Sequence, residues 1–468
     1  MSEFVGKLWG FCNTLRHDGI GYGDYIEQLT YLLFLKLAEE KSIKLPNGCR
    51  WEDLKAKSGT ELLDTYQDIL RTLSRQKEML GDIFAGSLSK FREPVNLKKL
   101  IGLIDETQWT AIDVDIKAQA YEGLLQKYAE EEKGAGQYFT PREAIRCVVR
   151  CIKPDLRARA DFTMHDPALG TAGFLIGAYE WMMKQTKEGA TLNREERNRL
   201  QNHTFSGGEI VLDTRRLALM NLYLHEIEAD VYYGDSLAEG PHTSKRYDVV
   251  MTNPPFGTKG AGQAPVRDDF TVSTSNKQLN FVQHVLTILK HGGKAAMVVP
   301  DNVLFEETAG KEVRKLLMED SNLHTILRLP IGTFTPYSPG VKANIIFFTK
   351  GEETREVWIY DNRTNVEKVA IRNPLTSRYF ADFEKCYPQI PRKENERFRR
   401  FSREYLASRG DNLDISWLKE ESSHDADEPR DPAEIATDAI VNLQTATDAL
   451  NDLILVLSIA NKRKSDDT

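Results

Sequence analysis

Apolar residues fall at helical spacing through the first quarter of the chain. Residues 25–37 carry Leu29, Leu32, Leu33 and Leu37 on that period, after the turn-like GIGYG of residues 19–23. Asp24 stands where an N-cap would. The period returns at residues 61–75, 97–104 and 116–131. Strand-like alternation is scarce, so residues 1–133 are expected to form an all-helical domain. Trp9, Trp51 and Trp109 are expected to pack inside it.

From residue 134 the texture changes. Short apolar runs at 162–165, 204–208, 229–233, 248–252, 294–299, 325–329 and 344–348 alternate with helical stretches at 171–187, 212–225, 277–291 and 311–320. Repetition of strand, helix, strand implies an α/β fold with a mostly parallel, doubly wound sheet. Ligands of such sheets bind beyond the carboxyl ends of the strands. The last two runs, joined by the loop 330–341, are expected to form a hairpin at the sheet edge. This domain is expected to span residues 134–390.

Residues 391–468 make a third region. A basic stretch at 391–409 reads as a solvated surface helix or a contact for phosphates. A polar, acidic linker follows at 420–434. A helix over 432–460 carries Ala436, Ala439, Leu443, Ala446, Leu450, Leu453 and Leu457 at a 3-4 spacing, a coiled-coil-like seam suited to a partner helix or to the chain's own body.

Composition narrows the class. The chain has 468 residues, 41% hydrophobic and 28% charged, as in ordinary globular proteins. No apolar run approaches the ~20 residues of a bilayer span, and no secretory signal is expected. Five widely spaced cysteines match no zinc pattern, so reduced thiols in the cytoplasm and no metal are expected. Cys147 and Cys151, four apart on one helix, read as plain thiols. The net charge is −8. Residues 411–468 hold 14 acidic and 5 basic side chains, which leaves the remainder near +1. A protein that coats nucleic acid by itself is usually basic. That balance argues against a chain that binds nucleic acid on its own.

The candidate chemistry gathers at strand ends. Asn253, Pro254, Pro255 and Phe256 directly follow the strand 248–252. An exocyclic amine on a planar ring has a delocalised lone pair and is a poor nucleophile. The Asn253 side-chain oxygen and the Pro254 carbonyl can both accept its N–H bonds, which frees the lone pair for attack on a methyl donor. Phe256 offers a face for stacking.

Asp166 ends the first strand, and Gly170, Thr171, Ala172 and Gly173 form the turn into the next helix. Only two of the glycines of GxGxxG are present, so a dinucleotide is not the natural ligand. Asp166 suits an ammonium group. Glu209 follows the second strand, where an acid holds ribose hydroxyls. It lies 43 residues after Asp166, a gap that an inserted charged helix at 194–202 would explain. Asp235 follows the third strand and could accept from an adenine amino group. Gln137, Tyr138, Phe139, Thr140, Pro141 and Arg142 precede the α/β domain. Thr140 is placed to cap a helix that opens with Pro141, and the two aromatics could line a pocket.

Together GAGQYFTPREA, DPALGTAGFL, GGEI, GDS and NPPFG resemble, in order and approximate spacing, the amino-group DNA methyltransferases. The ensemble, with YIEQLTYLLFLKLAEEK, is similar to the modification subunit of type I restriction–modification systems over residues 1–350. The resemblance implies a Rossmann-like methyltransferase domain, S-adenosylmethionine as donor and adenine N6 of double-stranded DNA as acceptor. It places Gln137–Arg142, Asp166, Gly170–Gly173, Glu209 and Asp235 around the cofactor. Asn253–Phe256 would then hold a flipped-out base. It further implies a specificity subunit, a second copy of the chain, and a restriction subunit as partners. Asn-Pro-Pro-aromatic also serves guanine N2 in RNA and glutamine amides in proteins, so these stay open, as does a binding module that has lost activity.

Overall fold

The computed structural model describes residues 22–106, 108–109, 140–256, 264–335, 340–370 and 372–419. Trp9, Gln137, Tyr138, Phe139, the helix expected at 116–131, the linker 420–434 and the helix 432–460 lie outside the described residues. The chain divides into two compact units.

One unit comprises Met1–Gln137, Gly170–Ala172 and Val211–Val231. Its described part is helical: Tyr22–Glu40, Trp51–Lys55, Gly59–Ser74, Glu78–Phe84, Pro94–Asp105 and Leu212–Leu224. The first helix begins at Tyr22, so Asp24 is not its cap. It sits in the first turn, where an acid still complements the helix dipole. Trp51 and Trp109 are buried as expected. The helix Leu212–Leu224 lies between two strands in sequence yet packs on N-terminal helices. Tyr223 meets Phe34 at 5.5 Å between ring centroids. Arg216 pairs with Glu27 at 2.7 Å, and Arg215 with Asp82 at 2.6 Å. The Lys41 ammonium donates to the Leu224 carbonyl at 2.6 Å, closing a helix C-terminus that would otherwise leave carbonyls bare.

The other unit comprises Tyr138–Leu169, Gly173–Ile210 and Tyr232–Thr468. The chain builds one nine-stranded sheet: β1 (Met164–Asp166), β2 (Phe205–Glu209), β3 (Asp230–Tyr233), β4 (Tyr247–Thr252), β5 (Leu289–Pro300), β6 (Ser321–Arg328), β7 (Ala343–Lys350), β8 (Glu356–Asp361) and β9 (Phe398–Ser402). The order is β3-β2-β1-β4-β5-β7-β6-β8-β9. β1 pairs in parallel with β2 and β4, and β4 with β5. The strand order reverses at β1, which opens a crevice at the strand ends between β1 and β4. The inserted helix expected at 194–202 is present as Arg194–Asn202, with a capping box between Asn193 and Glu196.

The edge hairpin is corrected. β6 and β7 are antiparallel, but β7 lies inside the sheet between β5 and β6. Its residues 343–348 are all buried, which an edge strand would not permit. β8 continues the sheet in parallel with β6, and β9 closes it in antiparallel. The basic stretch 391–409 therefore contains a strand, β9, and the short helix Arg403–Ser408 rather than one surface helix. β9 reads FRRFS, with two exposed arginines at its centre, so its alternation is hidden among charges.

Among the described residues no helix is long and apolar enough to cross a membrane, and no three His, Cys, Asp or Glu side chains gather as a metal site. Cys49, Cys147, Cys151 and Cys386 are free thiols.

Candidate active site at the ends of β1 to β4

The four acidic and amide positions singled out from the sequence stand at the carboxyl ends of four strands. Asp166 is the last residue of β1 and Glu209 the last of β2. Asp235 follows β3 by two residues, and Asn253 follows β4 directly.

Asp166 is 1% exposed. Burial pushes its carboxyl up to about 7, against weaker pulls downward from the Thr252 hydroxyl and the Ala168 amide. The Ala168 N–H donates to Oδ1 at 3.1 Å. No lysine, arginine or histidine pairs with it among the described residues. A buried carboxylate without a countercharge is costly, and a cationic ligand would relieve that cost.

The turn after β1 is built for close approach. Gly170 has φ +53°, and a Cβ added there would meet only open space within 4 Å. Ala172 has φ +67°, unusual for a residue with a side chain, and its backbone is held in that conformation although it is buried. The Thr171 carbonyl accepts from the Asn221 amide at 3.1 Å. Gly173 opens the helix Gly173–Gln185.

The end of β2 is shaped by its glycine pair. A Cβ at Gly208 would lie 2.3 Å from the Tyr232 ring, so only glycine leaves room for that tyrosine. Tyr232 donates its hydroxyl to Ser236 Oγ at 2.8 Å, and Ser236 Oγ donates to the Pro167 carbonyl. The half-buried Glu209 gives its main-chain carbonyl to the Gly234 amide at 3.1 Å. These bonds tie the three strand-end loops to one another.

Asp235 is exposed, and its Oδ1 accepts from the Leu237 amide at 2.9 Å. That bond shapes the turn, so one oxygen of the pair is already engaged. Below it, Arg267 donates to the Ser236 carbonyl at 3.2 Å, with His284 Nδ1 2.9 Å from the same guanidinium nitrogen. Nothing in the local pattern singles out Arg267. His165 in β1 stacks on Tyr247 at 4.3 Å between ring centroids, and burial pushes it down to about 3, so it is neutral and structural.

Asn253 is 9% exposed. Its Nδ2 donates to Thr140 Oγ1 at 3.0 Å. Its Oδ1 has no hydrogen-bond partner among the described residues. A buried acceptor left without a partner is available to a ligand donor or to water. Pro254 is buried and Pro255 exposed. The Pro255 carbonyl accepts from Gln278 Nε2 at 3.4 Å, which steadies the turn. Gln278 was not foreseen. Its only sequence signal is Asn276, which caps the helix Lys277–Ile288 and so aims its first turn at the loop.

Two expectations change here. Thr140 does not cap the helix Arg142–Ile152. Pro141 occupies the cap position without a side-chain bond, and the Thr140 hydroxyl serves Asn253 instead. Phe256 is 8% exposed and meets Phe334 edge-on at 5.5 Å and 87°. It is packed and does not present an open stacking face in this conformation. Arg142 begins the helix Arg142–Ile152. Gln137, Tyr138 and Phe139 cannot be placed beside these groups, because they fall outside the described residues.

Comparison with known proteins fits this arrangement. The family described as N-6 DNA Methylase matches residues 112–426, and the HsdM N-terminal domain matches residues 4–43. A type I restriction enzyme StySJI methylase subunit from Salmonella typhimurium is 38% identical, covering 98% of this chain and 96% of its own length. The crystal structure of the type I restriction enzyme EcoKI M protein is 34% identical, covering 97% of this chain and 96% of that one, with a TM-score of 0.56. A structure of a type I R-M system in complex assembly is 28% identical, covering 97% and 98%, with a TM-score of 0.68. A nine-stranded, mostly parallel sheet with an orphan amide oxygen at its β4 end, and this likeness along nearly the full chain, lead to one conclusion: the chain belongs to the N-6 DNA methylase family, among the methylase subunits of type I restriction enzymes.

Proposed function

We infer that this chain transfers a methyl group from S-adenosylmethionine to adenine N6 in DNA, as the methylase subunit of a type I restriction–modification system. Family membership does not favour the readings as an RNA guanine or protein glutamine methyltransferase. The observation that carries the mechanism is the buried Asn253 Oδ1, left without a partner at the end of β4.

S-adenosylmethionine supplies an electrophilic methyl on a cationic sulfur, and it also carries an ammonium and a ribose. The residues present suit it. Asp166 is a buried carboxylate without a countercharge, and open space faces the Gly170 and Gly234 backbones. Asp166 would answer the positive charge. Glu209 would accept from ribose hydroxyls, and the free oxygen of Asp235 from an adenine amino group. Thr171, Ala172 and Gly173 complete the turn, and likeness of motif, not position, makes Gln137, Tyr138, Phe139, Pro141 and Arg142 further candidates for cofactor binding.

Asn253 Oδ1 and the Pro254 carbonyl accept the two N–H bonds of the target amine. No hydrogen bond within the described residues engages that carbonyl. Two acceptors draw the nitrogen toward a tetrahedral shape and localise its lone pair. No covalent enzyme intermediate is required, so the rate comes from positioning and electrostatics. An adenine inside a duplex cannot reach a strand-end crevice, so the base is flipped out. Phe256 must rotate from Phe334 if it is to stack on that base.

The direct test is Asn253→Ala. Methylation of a defined duplex by the assembled complex should fall at least about 100-fold, with S-adenosylmethionine binding retained. Full activity in that variant would refute the mechanism. A separate specificity subunit is the partner that reads sequence, with a second copy of this chain and a restriction subunit completing the assembly. Residues 432–460 are the segment proposed to dock on the specificity subunit. Deleting 432–468 should abolish co-purification with it, and an intact complex would reject that docking. The cytoplasm, where free thiols persist, is the compartment proposed.

A further inference from the structure

We propose that Thr140 is a positioning residue for methyl transfer, holding the Asn253 amide in place at the end of β4 with Oδ1 left for the target amine. This rests on the reading of Asn253 given above.

A side-chain amide has one acceptor end and one donor end of nearly the same shape. Rotation by a half-turn exchanges them. With Nδ2 toward the substrate, an N–H would face an N–H, and the acceptor on which the chemistry depends would point away. The productive orientation needs an acceptor for Nδ2 on the protein side; a hydroxyl can accept from Nδ2 or donate to Oδ1, so Thr140 fixes the place of the amide while the two N–H groups of the target amine select its acceptor end. Thr140 Oγ1 lies 3.0 Å from Nδ2, and it is the single bonding partner of the Asn253 side chain among the described residues.

The hydroxyl is free for this duty because of its neighbour. The residue before a helix is normally the one whose side chain caps it. Here Pro141 takes the cap position, and its carbonyl accepts from the Ala144 amide at 2.9 Å. Pro141 also restricts the backbone of Thr140 to extended conformations, which limits where the hydroxyl can lie. The segment is thus less a cap than a fixed strut reaching from the helix Arg142–Ile152 to the end of β4.

The proposal separates Thr140 from the cofactor ligands that surround it in sequence. A cofactor ligand would change the dissociation constant for S-adenosylmethionine. A strut for Asn253 would change the rate of the chemical step and leave that constant alone. The experiment uses the full chain in its assembled complex. Single-turnover methylation of a duplex site at saturating S-adenosylmethionine gives the rate, and calorimetry gives cofactor binding.

Thr140→Val keeps the shape and removes the hydroxyl. It should slow the single-turnover rate about tenfold, the usual value of one neutral hydrogen bond at its upper end, with cofactor binding unchanged. Thr140→Ser should restore most of the rate. In an Asn253→Ala background, Thr140→Val should cost nothing further, because the group it positions is gone. Should Thr140→Val fold poorly, as its melting temperature would reveal, Thr140→Ala provides the same loss of hydroxyl with less bulk. Weakened cofactor binding with an unchanged saturated rate would overturn the proposal and make Thr140 a cofactor ligand. A wild-type rate in Thr140→Val would also overturn it. Full activity of Asn253→Ala would instead refute the reading of Asn253 itself, so the two failures are told apart.

Discussion

Two carboxylates contrast the helical unit with the strand ends. Asp105 closes the helix Pro94–Asp105 and accepts from Lys36 at 3.0 Å and Trp51 Nε1 at 2.8 Å, with Lys55 also 2.8 Å away. Burial pushes its carboxyl up, but hydrogen bonds from Lys55, Trp51 and Lys36 outweigh this and hold it well below the usual carboxylate range. Asp166 at the end of β1 is more deeply buried, and burial raises its carboxyl to about 7, with no cation paired to it among the described residues. The first acid is paired within the fold. The second is not, among the described residues. Charge satisfied within the chain stabilises, and charge left uncompensated in a crevice is kept for a ligand.

The sharpest way to break this contrast is at the unsatisfied end. Asn253→Ala removes the orphan acceptor, and its loss of at least about 100-fold in methylation should come with little change in melting temperature. Asp166→Asn follows. Cofactor affinity should weaken roughly 10- to 100-fold, the value of one charge-assisted bond, as measured by calorimetry. The same variant should be more stable than the wild type at pH 8. The sign follows from linkage. A carboxyl whose pKa is raised in the folded state binds more protons folded than unfolded between about 4 and 7, so it costs stability as pH rises through that window. The stabilisation should therefore shrink toward pH 4. An Asp166→Asn protein that melts lower at pH 8 would contradict the uncompensated charge.

A pH series on the wild type sharpens the same point. A cationic ligand prefers ionised Asp166, so S-adenosylmethionine affinity should fall by up to about tenfold per pH unit below 7, with proton release on binding. A flat profile from pH 5.5 to 8 would remove Asp166 from the cofactor site. The smallest effect belongs to the satisfied end. Asp105→Asn loses the ion pairs with Lys36 and Lys55 and should cost about 1 kcal/mol in denaturant unfolding, with methylation per folded molecule unchanged.

Much of the site was legible from strand ends alone. β1, β2 and β4 are short apolar runs that stop at Asp166, Glu209 and Thr252, and a parallel sheet brings all such ends to one side. Each acid taken singly would have read as a loop carboxylate. Their succession after consecutive strands made the pattern specific. The sheet beyond β5 was less legible. β7 carries the same buried, β-branched and aromatic texture as an edge hairpin strand would on one face, and only its burial on both faces places it inside. β8 escaped although its VWIY is as plain an apolar run as β4, and β9 escaped because it is crowded with arginines.

The helix Leu212–Leu224 shows the limit from another side. A helix was expected at 212–225. Its buried set includes Arg216, Leu217, Ala218, Leu219, Met220 and Leu222, and these wrap round the helix instead of lining one stripe. Sequence order gave it to the sheet that flanks it. Contacts with Phe34, Glu27 and Asp82 give it to the helical unit, because packing follows nearness in space and not in sequence.

Local sequence was enough to set the fold class, the strand ends at which the candidate chemistry gathers, and the residue types found there. Periodicity and backbone sterics are local, and they act on each segment before any long-range contact forms. Folding alone sets how those residues differ. It leaves Asp166 without a cation among the described residues, binds one oxygen of Asp235 into its turn, packs Phe256 on Phe334, and bonds the Thr140 hydroxyl to Asn253 in place of a helix cap. Burial and partnership are properties of neighbours brought together by folding, and no spacing along the chain encodes them directly.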